Sequence, residues 1–203
     1  MKTAILIDGG FFLKRYSYIK GFNKNDEPKI VAKNLVDYCM KHIQRVNNYR
    51  KRYDLPLTEL YRVYFYDAKP FDGDAQNPIS KKSFSFKNTP QYKFRHDLFI
   101  ELKQSRKIAL RLGFLKNTSR EWLIRGKHTK PLLKGDKSIS DLAPEDLEFK
   151  LSQKAVDMKI GLDIATLSFK SQVDQIILIA GDSDFVPAAK FARREGVDVI
   201  LDP

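Results

Sequence analysis

The chain has 203 residues, 42% of them hydrophobic, which suits one domain with its own core and excludes wholesale disorder. Its single cysteine, Cys39, excludes an internal disulfide and fits a reducing compartment. The net charge of +12 favours contact with phosphate backbones, although charge of this kind also serves solubility, and no long block of like charge forms a basic tail.

The opening "MKTAILIDGG" reads as a first strand, Thr3 to Ile7. Asp8 interrupts this apolar run too early for a signal peptide, so the expected location is the cytoplasm. No apolar run approaches the roughly 20 residues that a membrane span needs. In "IVAKNLVDYCMKHIQRV", Val31, Leu35, Cys39, Ile43 and Val46 recur at helical spacing. Leu60 to Tyr66 is β-branched and aromatic, a second strand.

From about 67 to 150 the rhythm breaks, and the stretch reads as one large basic insertion. "KPFDGDAQNPISKKSFSFKNTPQYKF" is a long loop, and "RHDLFIELKQSRK" is helical. "IALRLGFLKNTSREWLIRGK" gives two short strands joined by a polar turn at Asn117 to Arg120, and "HTKPLLKGDKSISDLAPEDL" is loop again. Rhythm returns with a helix over Gln153 to Phe169, carrying Val156, Ile160, Ile164 and Leu167 on one face. The strand Ile176 to Ala180 shows no alternation and should be buried on both faces. A helix over Asp184 to Glu195, stopped by Gly196, and a strand over Val197 to Leu201 complete the pattern. Strands alternating with helices predict a single α/β domain with a mainly parallel sheet covered on both faces. An exposed edge strand of such a sheet would allow a homodimer.

Two acids stand where a predicted parallel strand ends beside glycine: Asp8 before Gly9-Gly10, and Asp182 after Gly181. Ligands of open α/β sheets bind at that carboxyl edge, where strand order reverses. Asp157 and Asp163 lie on the preceding helix, and Asp184 follows Asp182 by two residues. Asp157 and Asp163 are six residues apart, about 240° around a regular helix, so both face one ion only if Asp157 lies near the helix start. Converging carboxylates point to a hard divalent cation, Mg²⁺ or Mn²⁺, completed by water and substrate phosphate. Structural roles compete: Asp184 as an N-cap, Asp157 as a cap or surface residue, Asp8 and Asp182 in turns, and Asp163 as a salt-bridge partner of Lys159 or Arg15. His42, His96, His128 and Cys39 show neither zinc spacing nor a nucleophile–base pair. There is no G-x-G-x-x-G and no P-loop.

"ILIDGGFF" together with "KAVDMKIGLDIATL" and "VDQIILIAGDSDFVPAAKFARREGVDVI" resembles the NYN domain, of the LabA-like group among PIN-like nucleases. The resemblance implies a PIN-like three-layer α/β/α sandwich and a metal-dependent ribonuclease. It makes Asp8, Asp163 and Asp182 the metal-binding acids, with Asp184 and Asp157 matching acids of less certain role. Members of the group often carry Asn shortly after the first Asp, and "IDGGFF" has none; that departure favours an alternative, a nucleic-acid-binding adaptor on the same fold. A small-molecule phosphatase ranks last, because no D-x-D stands at the first strand. For the RNA partner, Lys14 and Arg15 are candidates to neutralise phosphate. Within the insertion, Lys81, Lys82, Lys87, Lys93, Arg95, Arg106, Lys107 and Arg111 interleave with Phe84, Phe86, Tyr92, Phe94 and Trp122. Cations beside aromatics suit a single strand, unless the rings form a satellite core under the loop.

Overall fold

The computed structural model describes residues 1–116 and 121–203. Among the described residues ten strands and six α-helices follow in chain order: β1 (Lys2–Asp8), α1 (Gly9–Arg15), α2 (Pro28–Arg52), β2 (Glu59–Lys69), β3 (Asp74–Gln76), β4 (Ser83–Ser85), α3 (Pro90–Gln104), β5 (Ile108–Lys116), β6 (Trp122–Ile124), α4 (Gly126–Lys134), β7 (Leu147–Phe149), β8 (Ser152–Lys154), α5 (Val156–Phe169), β9 (Gln175–Ile179), α6 (Val186–Arg194) and β10 (Asp198–Asp202).

The central sheet has six strands in the order β10-β9-β1-β2-β5-β8. All neighbours are parallel except β5 and β8. Alternate residues of the inner strands feed two cores. Ile5, Ile7, Phe65, Ile177 and Ile179 face α1, α2 and α3 through Phe12, Leu35, Cys39, Leu98 and Leu102. Leu6, Tyr66, Ile176 and Leu178 face α5 and α6 through Ile160, Ile164, Leu167 and Ala192. The result is a three-layer α/β/α sandwich with a buried sheet, as the unbroken apolar run of β9 predicts.

This layering sets the position of the site. From β1 the chain moves through α1 and α2 to β2 on one side; β9 lies on the other side of β1 and is reached through α5 on the opposite face. Strand order therefore reverses between β1 and β9, and a crevice opens at their carboxyl ends.

The stretch 67–150 is not one insertion. Its helix and first strand, α3 and β5, are the crossover and next strand of the central sheet, with Leu98 and Leu102 fully buried beneath them. The remainder forms a satellite of two hairpin-like pairs, β3 with β4 and β6 with β7. β5 and β6 do not pair with each other; the turn expected between them at 117–120 lies outside the described residues. "HTKPLLK", expected as loop, belongs to α4, which starts at Gly126 and is stopped by Gly135 in the left-handed conformation at φ 78°. Gln153 and Lys154, expected to open the following helix, belong instead to β8, and helix begins at Val156. Among the described residues no helix is long and apolar enough to cross a membrane.

Candidate functional site

Asp8 closes β1 and caps α1, its Oδ1 accepting the Phe11 N–H at 3.1 Å. The turn is tight. A Cβ on Gly9 would lie 2.5 Å from the Phe65 ring and 2.7 Å from the Tyr66 carbonyl, so only glycine brings the Asp8 backbone this close to β2. Asp182 follows β9 and caps the short 3-10 turn Ser183–Phe185, its Oδ1 accepting the Asp184 N–H at 2.9 Å. The cap of this segment is thus Asp182, and Asp184 lies inside the turn rather than capping α6.

Asp157 sits in the first turn of α5, where the helix dipole favours a negative charge. Its placement depends on an unusual junction. Ala155 adopts the left-handed conformation at φ 67°, costing on the order of 1 kcal/mol for a residue with a Cβ. Beneath it, Gly113 of β5 lets the chain approach closely: a Cβ there would stand 2.3 Å from the Lys154 carbonyl oxygen. The Asp157 carboxyl is pushed above the usual carboxylate range, first by partial burial and then by the charges of Asp8, Asp182 and Asp184. Asp8, Asp182 and Asp184 therefore lie within electrostatic reach of Asp157, at the carboxyl edge between β1 and β9.

Among the described residues none of these four forms an ion pair. No three carboxylates, imidazoles or thiols among the described residues converge closely enough to enclose a metal ion by themselves. The donor set is all carboxylate and largely exposed, which fits an oxygen-seeking cation that keeps several waters and is completed by phosphate.

Asp163 is placed elsewhere. Its Oδ2 accepts hydrogen bonds from the Tyr66 hydroxyl at 2.8 Å and from Arg111 Nε at 2.9 Å. Arg111 also lies 5.2 Å from the centre of the Tyr64 ring. This clamp fastens α5 to β2 and β5. Its partners are neither Lys159 nor Arg15, and the roughly 240° turn between positions 157 and 163 explains why one acid reaches the crevice and the other does not.

Asp67 was not expected in the site. It lies one residue before the end of the buried part of β2 at 2% exposure, pairs with Arg95 and accepts the Ala68 N–H at 2.7 Å. Desolvation raises its pKa, against the attraction of Arg95, and the nearby Asp8 raises it further. The signal was present in "FYDAKP": an acid closing an apolar strand, as at Asp8.

The basic candidates divide. Arg95 is tied to Asp67, and Arg15 lies 3.6 Å from Asp202 with its guanidinium over the Phe11 ring. Lys14 is exposed in the last turn of α1, Lys81 and Lys82 are exposed in the β3–β4 connection, and Lys93 is exposed on α3. The rings of the satellite pack on one another: Phe86 lies 5.2 Å from Phe71 and 5.3 Å from Phe149, and Trp122 lies 5.3 Å from Phe149. They form a satellite core rather than an open stacking platform.

Residues 130–201 match the family model of the NYN domain, a domain of the PIN-like nuclease superfamily. The matched span holds Asp157, Asp163, Asp182 and Asp184. An uncharacterised protein of Methanocaldococcus jannaschii is 33% identical over 66 residues, covering 32% of this chain and 28% of its own length. This chain thus matches little more than a quarter of that relative. A solved protein of unknown function from Vibrio parahaemolyticus aligns with 98% of this chain and 79% of its own, at 15% identity and a TM-score of 0.42.

Proposed function

We infer that the protein is a nuclease that hydrolyses RNA phosphodiester bonds with the help of Mg²⁺ or Mn²⁺. The observation that carries this reading is the placement of Asp8 and Asp182 at the ends of β1 and β9, where strand order reverses, with the Asp157 carboxyl held above its ordinary pKa first by partial burial and then by Asp8, Asp182 and Asp184. Such a cluster attracts a divalent cation, and the substrate phosphate completes the coordination.

Asp8, Asp157, Asp182 and Asp184 would hold the ion. When bound, it supplies an ionised water as nucleophile and offsets the charge that develops on the phosphate. The protein's part is positioning. The Asp8 and Asp182 carboxylates each spend one oxygen on a backbone N–H, which fixes their rotamers and leaves the other oxygen for the crevice. The Asp163–Arg111–Tyr66 clamp holds the helix that carries Asp157. Lys14 and the exposed lysines at 81, 82 and 93 attract the strand by charge, without reading its sequence.

The test is cleavage of labelled single-stranded RNA in Mn²⁺, Mg²⁺ or EDTA by the parent and by Asp182→Asn. Cutting that needs the metal and is lost in the variant is expected. Equal cutting by both proteins would place any nuclease activity elsewhere.

A second reading, a nucleic-acid-binding adaptor without turnover, is favoured by Phe11. The Asn that the NYN resemblance leads one to expect shortly after Asp8 is absent, and the apolar Phe11 ring packs against Gly181, at whose position a Cβ would lie 2.4 Å from Phe11 Cε2. Strand binding that survives Asp182→Asn, with no cleavage by the parent, would support it.

A further inference from the structure

A cleft of about 590 Å³ lies beside the acid cluster, on the α1–α3 face of the sheet. Its walls come from the end of α1 and the residues after it, from the first turn of α2, and from the first turns of α3. Both α2 and α3 start at the carboxyl edge of the sheet, the edge that carries Asp8 and Asp182. The link to that centre runs through Arg95, which lines the cleft and pairs with Asp67 on β2, the strand beside β1 and Asp8.

The lining is amphipathic in a particular way. Leu13, Tyr16 and Phe94 give it an apolar floor. Tyr16 cannot swing out, because its hydroxyl donates to Asp26 at 2.7 Å and accepts from Asn34 at 2.6 Å. Gln91, exposed on the first turn of α3, offers an amide that both donates and accepts. At the rim Lys24 supplies the available positive charge, since Arg95 is matched to Asp67 and the Asp26 carboxylate is engaged by the Tyr16 hydroxyl. A flat apolar group with polar edges, attached to an anionic chain, matches all three features; a hydrocarbon would waste the amide, and a bare anion would waste the floor.

We propose that this cleft holds one unstacked base of a single-stranded RNA whose backbone passes the acid cluster. The proposal rests on the reading of the protein as an RNA-acting one, and it adds the subsite that forces the strand to splay. Hydrogen bonding to Gln91 and apolar contact with Phe94 and Leu13 fix the base, and Lys24 neutralises the adjoining phosphate.

The experiment measures binding rather than cleavage, so it is independent of metal chemistry. Fluorescence anisotropy is recorded in EDTA with a labelled RNA octamer and with versions carrying a single abasic position at each site in turn. Gln91→Trp fills the mouth of the cleft from an exposed helical position, and Lys24→Ser removes a rim charge from an exposed loop; circular dichroism confirms that both fold. The parent is expected to bind the octamer roughly tenfold more tightly than Gln91→Trp does. One abasic position is expected to weaken the parent by a similar factor and to leave Gln91→Trp unchanged. Lys24→Ser is expected to reduce the dependence of affinity on salt. Equal affinity of parent and Gln91→Trp, abasic and Gln91→Trp losses that simply multiply, or no binding by the parent would each overturn the proposal. Coupled losses in a protein that never cleaves would leave the cleft in place and remove the nuclease reading; metal-dependent cleavage without coupling would do the reverse.

Discussion

Gly113 lies on β5, far in sequence from every acid, yet it sets the position of Asp157. A Cβ at this residue would stand 2.3 Å from the Lys154 carbonyl oxygen and 2.7 Å from Val156 Cγ2. Ordinary contact begins near 3.4 Å, so Gly113→Ala must drive the 154–156 turn outward by about 1 Å, the difference between 3.4 and 2.3. The obstacle is backbone, which cannot rotate away, and the turn is already committed to a left-handed Ala155. Overpacking of this kind costs about 1–3 kcal/mol of stability. The larger consequence is functional, because the first turn of α5 moves with the turn it follows. A displacement of about 1 Å in a positioned group lowers a rate by about a hundredfold. Gly161 provides the control on the same helix: nothing lies within 4 Å of a Cβ added there. Gly161→Ala should stabilise the protein by about 0.5–1 kcal/mol and leave the rate alone. The assay is single-turnover RNA cleavage in saturating Mn²⁺ beside urea denaturation. A Gly113→Ala enzyme with lowered stability but the parent's rate would refute the claim that this close approach positions the site.

Other consequences separate the acids by role. Asp182→Asn should lower cleavage by at least about a hundredfold with little change in urea midpoint, whereas Asp163→Asn should cost roughly 1 kcal/mol of stability and change the rate only a few-fold, since its carboxylate, 25% exposed, serves Arg111 and Tyr66. The pH dependence follows from Asp157. Its folded pKa lies above the ordinary 3.8, so the folded protein holds that proton more tightly than the unfolded chain does. The stability it contributes is full below the ordinary value and is lost as pH rises through the raised one. Thermal melts in EDTA should therefore show an advantage of Asp157→Asn over the parent that grows with pH from 3.8 upward. Mg²⁺ should abolish that advantage, because a cation at a hundredfold excess over its Kd stabilises the parent by about 2.7 kcal/mol. Arg95→Met should destabilise by about 2–3 kcal/mol, somewhat below the value for a fully buried pair because Arg95 is one-third exposed, and adding Asp67→Asn should recover most of the loss in urea denaturation.

The parts of this fold that were legible in the sequence are those with a strong period or a sharp boundary. The Val31–Leu35–Cys39–Ile43 row gave α2, and the apolar run at 176–179 gave a strand buried on both faces. What escaped was long-range. Nothing local in "RHDLFIELK" or "IALRLGFLK" tells a satellite element from a crossover and central strand, because that depends on β5 pairing with β2 across the intervening residues 70–107. Of the candidate acids, the two at strand ends were placed by a rule that also applied to Asp67 but was not applied there. Asp163 shows the limit of reading a resemblance residue by residue. Its neighbours in sequence cannot reveal that Tyr66 and Arg111 are waiting on two other elements.

The distribution of charge explains why a basic protein keeps these four acids together. Around the carboxyl edge three arginines are each matched to a carboxylate outside the cluster: Arg95 to Asp67, Arg15 to Asp202, and Arg111 to Asp163. Those pairs lock β2, β10 and α5 to their neighbours. Arginine carries a permanent charge and a rigid fork, so once matched it is not readily drawn to another anion. Asp8, Asp157, Asp182 and Asp184 are left with no side-chain cation among the described residues, in a molecule with positive charges to spare. Had the fold needed only stability at this edge, one of those spare charges at the crevice would relieve the repulsion that Asp157 registers. Leaving it unrelieved costs stability in the metal-free protein, and under the proposed function a cation from solution would recover that cost. On the same proposal the basic surface has a distinct task. It would bring a polyanion to an edge that repels it until the ion is in place, so binding of strand and binding of metal should each strengthen the other.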